Sequence, residues 1–426
     1  MSLIIRKKAT WQYILLYLVY MLNDSFLYKN YISGYNLVIF VILVFLTIIV
    51  KGKRPLFIWG FLAFSLVSVA IVRIMQGGVG LDAWLRWAVP ILLVYYAFSV
   101  DKDQFLHRWV KLVVVMSVIS LIFWLGCQID ADLIRKLLPT HYSVGQSVLY
   151  WTSSTSAVYQ TEYGDGLLFY AVRNFELDRN NGVFSEPGLH QMVLNATLFM
   201  LLFMKDKLEI TSKQQIKYTV VLLITLITCK STSGYLSFVV IIMMFVMQKN
   251  RAEAQNKYRI ISVALIGVAV LLVEYSVNGV NSLLYTQLLN KIFSNGIITI
   301  SADSGMWRMM TISTAWSSML RNPLGIGYDN ANALLVSGSS GAQIFLMGAA
   351  LGIIPFGVFQ AWTWYPVLKS RLINILGKIA FMFMFYNSML AQSKEFYSVF
   401  LIFTIYCFFI KQSQSYSGEM GILNVD

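Results

Sequence analysis

Two short blocks hold most of the residues whose types and spacing suit chemistry. The first is Arg173-Asn-Phe-Glu-Leu-Asp-Arg-Asn-Asn-Gly-Val-Phe-Ser-Glu-Pro-Gly-Leu-His190. Ser185 is a candidate N-cap and Pro187 suits a first helical turn, so a helix is predicted to begin here with backbone amides open to an anion. Glu186 and His190 are four apart, which puts them on one face of that helix, and either group can take a proton from a hydroxyl within hydrogen-bond reach. Arg173 and Arg179 precede them, and guanidinium groups match the oxygens of a diphosphate. The same residues would also make an ordinary helix start in which Glu186 only favours the helix dipole.

The second block runs from Asp303-Ser-Gly-Met-Trp-Arg308 through Trp316-Ser-Ser-Met-Leu-Arg-Asn-Pro-Leu-Gly-Ile-Gly-Tyr328. As a helix it places Met309, Ile312, Trp316 and Met319 on one side and Arg308, Thr311 and Ser318 on the other, and it must end at Asn322-Pro323. This is the pattern of an amphipathic helix lying in a membrane interface, with a mobile exit at Gly325-Ile-Gly327. Arg308 is then either an anion-holding group or a solvated charge on a lipid-facing helix, and Arg321 and Tyr328 stand at the exit.

The elements that must position these blocks are transmembrane helices. Of 426 residues, 58% are hydrophobic and 12% charged, whereas a soluble domain is roughly half apolar and about a quarter charged. The mean hydropathy of +0.65 over most of the length requires many spans of roughly 20 residues each. Apolar segments fall near 11 to 27, 35 to 50, 55 to 72, 84 to 100, 109 to 127, 189 to 204, 217 to 229, 234 to 248, 260 to 276, 342 to 364, 376 to 391 and 395 to 410. The predicted fold class is an all-α polytopic membrane protein of ten to twelve spans. The seventh and eighth are short and flank Lys230-Ser-Thr-Ser-Gly234, so they form one hairpin with a tight turn or extend into their flanks. Arg6, Lys7 and Lys8 precede the first apolar run, which resembles a signal sequence but lacks a small-residue cleavage site, and it is read as a retained span.

Charge sets the orientation. With the N-terminus in the cytoplasm, the inner side holds 21 of the 33 Lys and Arg and 7 of the 20 Asp and Glu, leaving it at +14 and the outer side at −1. The formal charge of +13 therefore follows the positive-inside rule and does not mark a nucleic-acid surface. Both termini are expected in the cytoplasm. Two segments are too long for connectors, 128 to 188 and 277 to 341, and both fall outside as folded caps. The chain thus divides into helices one to five (1 to 127), the first loop (128 to 188), helices six to nine (189 to 276), the second loop with its amphipathic helix (277 to 341) and the last three helices with a short tail (342 to 426).

Ionisable groups gather at the outer ends of the spans: Asp24, Arg73, Arg86, Glu186, His190, Lys230, Glu274, Lys394 and Glu395. Each alone fits a side chain reaching for the membrane edge, but the group of three carboxylates Asp24, Glu186 and Glu274 does not. Cys127, Cys229 and Cys407 lie in apolar runs without ligand spacing, so no disulfide framework, zinc site or other metal site is indicated.

At these blocks the chain resembles the bacterial O-antigen polymerase and ligase superfamily, and within it the polymerase branch. The matching stretches are Arg179-Asn-Asn-Gly-Val-Phe-Ser-Glu-Pro-Gly188 leading into a span, Lys230-Ser-Thr-Ser-Gly234 between two short spans, and Arg308 with Trp316 before Asn322-Pro-Leu-Gly-Ile-Gly327. Where ligases typically carry His-Asn after the second loop, this chain has Ser339-Ser-Gly-Ala-Gln343, which favours the polymerase branch. The resemblance implies a metal-independent, cofactor-free glycosyltransferase of the inner membrane, acting on undecaprenyl-diphosphate-linked oligosaccharides. It implies that Arg179 and Arg308 hold the diphosphate, with Arg173 and Arg321 beside them. Tyr328 and Arg86 are expected as further substrate contacts, and Glu186 is the first choice of base and His190 the second, since a carboxylate or imidazole at the outer mouth can reach an acceptor hydroxyl. Membrane lipids and a polysaccharide chain-length regulator are the expected partners, with no nucleic acid. A ligase or other lipid-linked glycosyltransferase is the alternative, and a flippase or transporter stands behind it.

Overall fold

The structure, a computed structural model, describes residues 2–50, 55–76, 81–138, 141–153, 156–173, 177–248, 303–334, 342–391 and 397–420, with scattered positions between 258 and 298. It is mostly helical. Among the described residues, three helical stretches are long and apolar enough to cross a membrane: Tyr28–Ile48, Leu56–Met75 and Phe105–Ile129. Shorter apolar helices cover Trp84–Val100, Pro187–Phe203, Thr232–Met247, Ile375–Ala391 and Ser398–Ile410. Of the expected span at 260 to 276 about half the positions are described, and those, residues 272 to 276 among them, are helical.

The centre of the bundle is α7 (Pro187–Phe203), every residue of which is buried. It packs against α5 (Phe105–Ile129), α8 (Ser212–Thr228), α9 (Thr232–Met247), α14 (Ile375–Ala391) and α15 (Ser398–Met420). A helix covered on all sides reads as apolar all round, and its few polar groups must be paired by neighbours. Thr197 Oγ1 accepts from Trp109 Nε1 at 3.2 Å, and Asn195 Nδ2 donates to Gln191 Oε1 at 2.9 Å and to the Gly234 carbonyl at 3.0 Å.

Side-chain bonds fix which helix ends meet. In α1 (Ser2–Met21), Gln12 Nε2 donates to the carbonyls of Ala97 and Asp101 at 2.8 Å each. Its Oε1 accepts from Arg108, which pairs with Asp101 at 2.9 Å. α1 and α4 (Leu81–Val100) are antiparallel, since Tyr28, just past the end of α1, also lies within electrostatic reach of Asp82 and Arg86 at the start of α4. At that same end Asn23 Oδ1 accepts from Val399 N at 3.0 Å, and Ser25 bridges Phe184 just before α7. The starts of α4, α7 and α15 and the end of α1 thus form one face of the bundle, from which the chain enters and leaves the first long loop.

That loop carries a sheet, which the all-α expectation lacks. After α6 (Ala131–Leu137), β1 (His141–Ser153) pairs antiparallel with β2 (Ser156–Gly166), and β3 (Ala171–Arg173) joins β2 with Gly164 opposite Arg173. The physical reason is in the residues: both long strands carry Tyr, Val and Thr, which suit a pleated surface better than a helix.

Two boundaries also differ from expectation. The first helix ends at Met21, and Asp24 takes a left-handed conformation with φ 67°, so the span does not run to 27. The run 342 to 364 is two helices, α12 (Gln343–Leu351) and α13 (Ile353–Lys369), divided at Gly352 with φ 91°. The segment after α10 (Asp303–Arg321) fills that break: Ile326 N and Gly327 N donate to the carbonyls of Ala349 and Ala350 at 3.0 and 3.1 Å, and Ile353 N donates to Pro323 O at 3.1 Å. Irregular backbone among apolar helices is stable only when its polar groups are paired in this way. The expectation of a mobile Gly325-Ile-Gly327 exit is corrected accordingly.

Candidate functional site

The first block is seated on the hairpin between α8 and α9, so two motifs about 50 residues apart in sequence become one structure. The helices are joined by only Cys229–Ser231, which settles the hairpin in favour of a tight turn. Lys230 takes the left-handed conformation, φ 48°, that commonly follows a helix C-terminus. The last carbonyls of α8 are then capped from the block. Asn180 N donates to Thr228 O at 2.9 Å, Asn180 Nδ2 to Thr228 Oγ1 at 3.0 Å, and Arg179 Nε to Cys229 O at 3.2 Å. Lys230 Nζ reaches Asp178 Oδ2 at 2.8 Å. A cation at a helix C-terminus meets the negative end of the dipole, so Arg179 has a structural partner that also fixes the plane of its guanidinium.

Other elements hold the block from the remaining sides. On α5, Trp124 Nε1 donates to Asp178 O at 3.1 Å and Gln128 Nε2 to Leu177 O at 2.9 Å. Ala171 N of β3 donates to Gly182 O at 2.6 Å, and Phe26 N donates to Val183 O at 2.8 Å. A loop tied to four elements presents its side chains at fixed positions, which a binding or catalytic constellation requires.

The start of α7 differs from the sequence reading by one residue. Glu186 is the N-cap, with φ −145° and ψ 144°, and Pro187 is the first helical residue. The hydroxyl of Ser185 donates instead to Asp24 O at 3.2 Å. Glu186 makes no side-chain capping bond, so its half-buried carboxylate is not engaged by the amides of its own helix. Those amides are fewer than expected for an anion site: Pro187 has none, and Leu189 N already donates to Glu186 O at 3.1 Å.

Because Glu186 is extended, it does not share a helix face with His190, and that expectation is corrected. His190 is fully buried, its Nδ1 3.2 Å from Asn180 O and its ring beside Phe184 at 5.6 Å between centroids. With the Nδ1 hydrogen donated to that carbonyl, Nε2 carries the lone pair and has no hydrogen-bond partner. Asn181, also fully buried, has neither amide atom bonded. The sequence reading gave Asn181 no role; the only signal was its place between Asn180 and a glycine in the first block.

Arg173 is half-buried in β3 and Arg86 is exposed on α4, 3.1 Å from Asp82. Beside Arg86, the Trp87 ring lies 6.3 Å from that of Tyr328, at the start of α11 (Tyr328–Asn332). The structure therefore brings the end of the second block to the start of α4. Within α10 the buried stripe is Thr311, Ala315 and Met319, while Met309, Trp316 and Leu320 are exposed. The apolar face expected to be uniform is split: Met319 packs toward Gly348 of α12, and Trp316 meets Phe345 at its edge, 6.3 Å between centroids. Arg321 is exposed at the helix end; the side chain of Arg308, and Lys394 and Glu395, lie outside the described residues. The two blocks are held by different neighbours, the first by the α8–α9 turn and the second by α12 and α4.

The arrangement holds a carboxylate and a guanidinium on one hydrogen-bonded loop beside the apolar helical bundle. The chain matches no protein-family model, and no curated protein and no solved structure matches it.

Proposed function

We propose that the chain is a polymerase of lipid-linked bacterial glycans, an O-antigen or capsular polysaccharide polymerase of the cytoplasmic membrane. The growing glycan on undecaprenyl diphosphate is the donor, and a lipid-linked repeat unit is the acceptor. In this reading both termini lie in the cytoplasm and the two long loops face outward, which the charge count of +14 against −1 supports.

In this reading an acceptor hydroxyl attacks the anomeric carbon of the donor. The new carbon–oxygen bond forms as the bond to the diphosphate breaks, the electron pair leaves on the diphosphate, and the hydroxyl proton passes to Glu186. A diphosphate is a good leaving group when its charge is met, so the central requirement is electrostatic: Arg179 and Arg308 supply it, with Arg173, Arg321, Arg86 and Tyr328 binding the glycan and diphosphate around them. His190, buried behind the loop, serves Glu186 and Arg179 by fixing the backbone between them.

The observation that supports this reading is the seating of Arg179 and Asn180 on the α8–α9 turn, which joins two of the three short stretches on which the resemblance rests. Glycan analysis of a deletion strain tests it. A surface glycan reduced to one repeat per lipid is the expected result. Polymer retained on the carrier lipid would indicate a ligase, and internal accumulation of repeat units a flippase.

A further inference from the structure

Between β2 and β3 the chain turns at Leu167–Tyr170, closed by Leu167 N donating to Tyr170 O at 3.3 Å. The turn is tight because Gly166 leaves no room for a β-carbon: one placed there would meet Tyr170 O at 2.6 Å. At its tip Leu168 is 39% and Phe169 53% exposed. Two adjacent large apolar side chains are thus open at the tip of the turn.

Two helices locate the tip. The hydroxyl of Tyr17 on α1 donates to the Leu168 carbonyl, and Tyr17 is four residues before the helix end at Met21. At 1.5 Å per residue that is about 6 Å inside the helix end. Phe123 of α5 stacks on Tyr170 at 5.4 Å between centroids. It is six residues before the end at Ile129, or about 9 Å inside. The turn therefore dips alongside the helices and does not sit above them. On the same helices, at similar heights, Leu18, Ile122 and Leu125 are exposed apolar residues, a surface suited to lipid. Tyr17 and Trp124 beside it are the residue types that favour the membrane–water boundary.

We propose that Leu168 and Phe169 form a membrane-dipping wedge whose partner is the acyl-chain region of the outer leaflet, just below the headgroups. The wedge continues the apolar belt of α1 and α5 and sets the height of the cap. Its consequence reaches the candidate site directly, because Ala171, one residue beyond the turn, donates to Gly182 O, and Arg173 ends the same strand. The lipid surface thereby fixes how far Arg173 and the loop from Arg179 to Glu186 stand above the bilayer, where a lipid-borne diphosphate would be presented. The inference rests on the apolar helices crossing a bilayer and is independent of the polymerase reading.

The test is spin-label accessibility in the full chain, reconstituted in phosphatidylethanolamine and phosphatidylglycerol vesicles. Labels are placed one at a time through Leu168→Cys and Phe169→Cys; the unsubstituted chain, whose three cysteines are buried, serves as the labelling blank. Ile122→Cys is the lipid-facing comparator, and Asp132→Cys, with a side chain 82% exposed on α6, the aqueous one. Both wedge labels are expected to match position 122, with the ratio of oxygen to nickel-chelate collision several-fold above that at position 132. Nickel access at either wedge position equal to that at 132 overturns the proposal. So does low access to both reagents, which would mean a protein surface covers the turn.

Discussion

The imidazole of His190 fills the space that a β-carbon on Gly182 would need, since one placed there would lie 2.9 Å from the ring. Gly182 also has φ 57°, a conformation open to glycine and costly to other residues. The loop between Arg179 and Glu186 can therefore close over α7 only with glycine at 182. His190 is the floor of that loop.

Gly182→Ala should destabilise the protein by at least about 2 kcal/mol, since the left-handed conformation alone costs roughly 1–2 and the ring contact adds to it. The apparent melting temperature in detergent checks this. Adding His190→Ala to Gly182→Ala should recover part of the loss, because the two residues share one contact; strictly additive effects would show that the ring is not what Gly182 accommodates.

The break in the 342 to 364 run makes a sharper prediction. A β-carbon at Gly352 would lie 2.2 Å from Pro323 O, and one at Gly325 would lie 2.3 Å from Ala350 O, with φ of 91° and 87°. Both contacts are with backbone that has no slack. Gly352→Ala and Gly325→Ala should each greatly lower the yield of folded protein. Gly357→Ala, inside α13 where nothing lies within 4 Å, should be neutral or stabilise by about 0.5–1 kcal/mol. Size-exclusion profiles of the three variants decide it, and equal tolerance at all three positions would refute the backbone-to-backbone contact.

How much of this was legible in the sequence depended on whether the signal was local. The end of α10 at Arg321 follows from Asn322-Pro323, and the short α8–α9 turn follows from Lys230-Ser-Thr-Ser-Gly234. The start of α7 was placed to within one residue because Pro187 fixes the first turn. What failed was non-local. Glu186 and His190 were spaced for one face, but Glu186 is drawn into extended backbone as Ser185 bonds to Asp24, over 160 residues away. Gly352 looks like any glycine in an apolar run until the segment from Pro323 to Gly327 is laid against it. The sheet of the first loop leaves no apolar run in the sequence, because β1 and β2 mix Ser, Tyr, Val and Thr.

Glu186→Gln should retain folding and insertion and lose elongation. The N-cap carboxylate makes no capping bond, so the isosteric amide removes little helix stabilisation, yet it cannot accept a proton. General-base removal typically costs 10²–10⁴-fold. Repeat-unit ladders from membranes of the variant give the readout. Polymer of normal length at a normal rate would take Glu186 out of the chemistry.

Arginine-to-lysine changes separate a diphosphate clamp from a helix cap at Arg179 and from a solvated charge at Arg308. At Arg179 the Nε bond to Cys229 O predicts a structural effect whatever the function: Lys should cost about 0.5–1.5 kcal/mol of stability for one hydrogen bond. If the guanidinium also binds phosphate oxygens in bidentate fashion, elongation should fall well beyond what reduced stability accounts for, because lysine keeps the charge and loses the planar fork. Loss of one or two charge-assisted bonds at about 1.5–3 kcal/mol each corresponds to at least roughly a 10-fold drop in rate. At Arg308 the same drop is expected with melting temperature unchanged, and the Ala variants should be worse at both positions. Wild-type chain length from Arg308→Lys would make Arg308 an interfacial residue. A loss at Arg179→Lys that tracks stability alone would leave Arg179 as the cap of α8 and remove it from the diphosphate site.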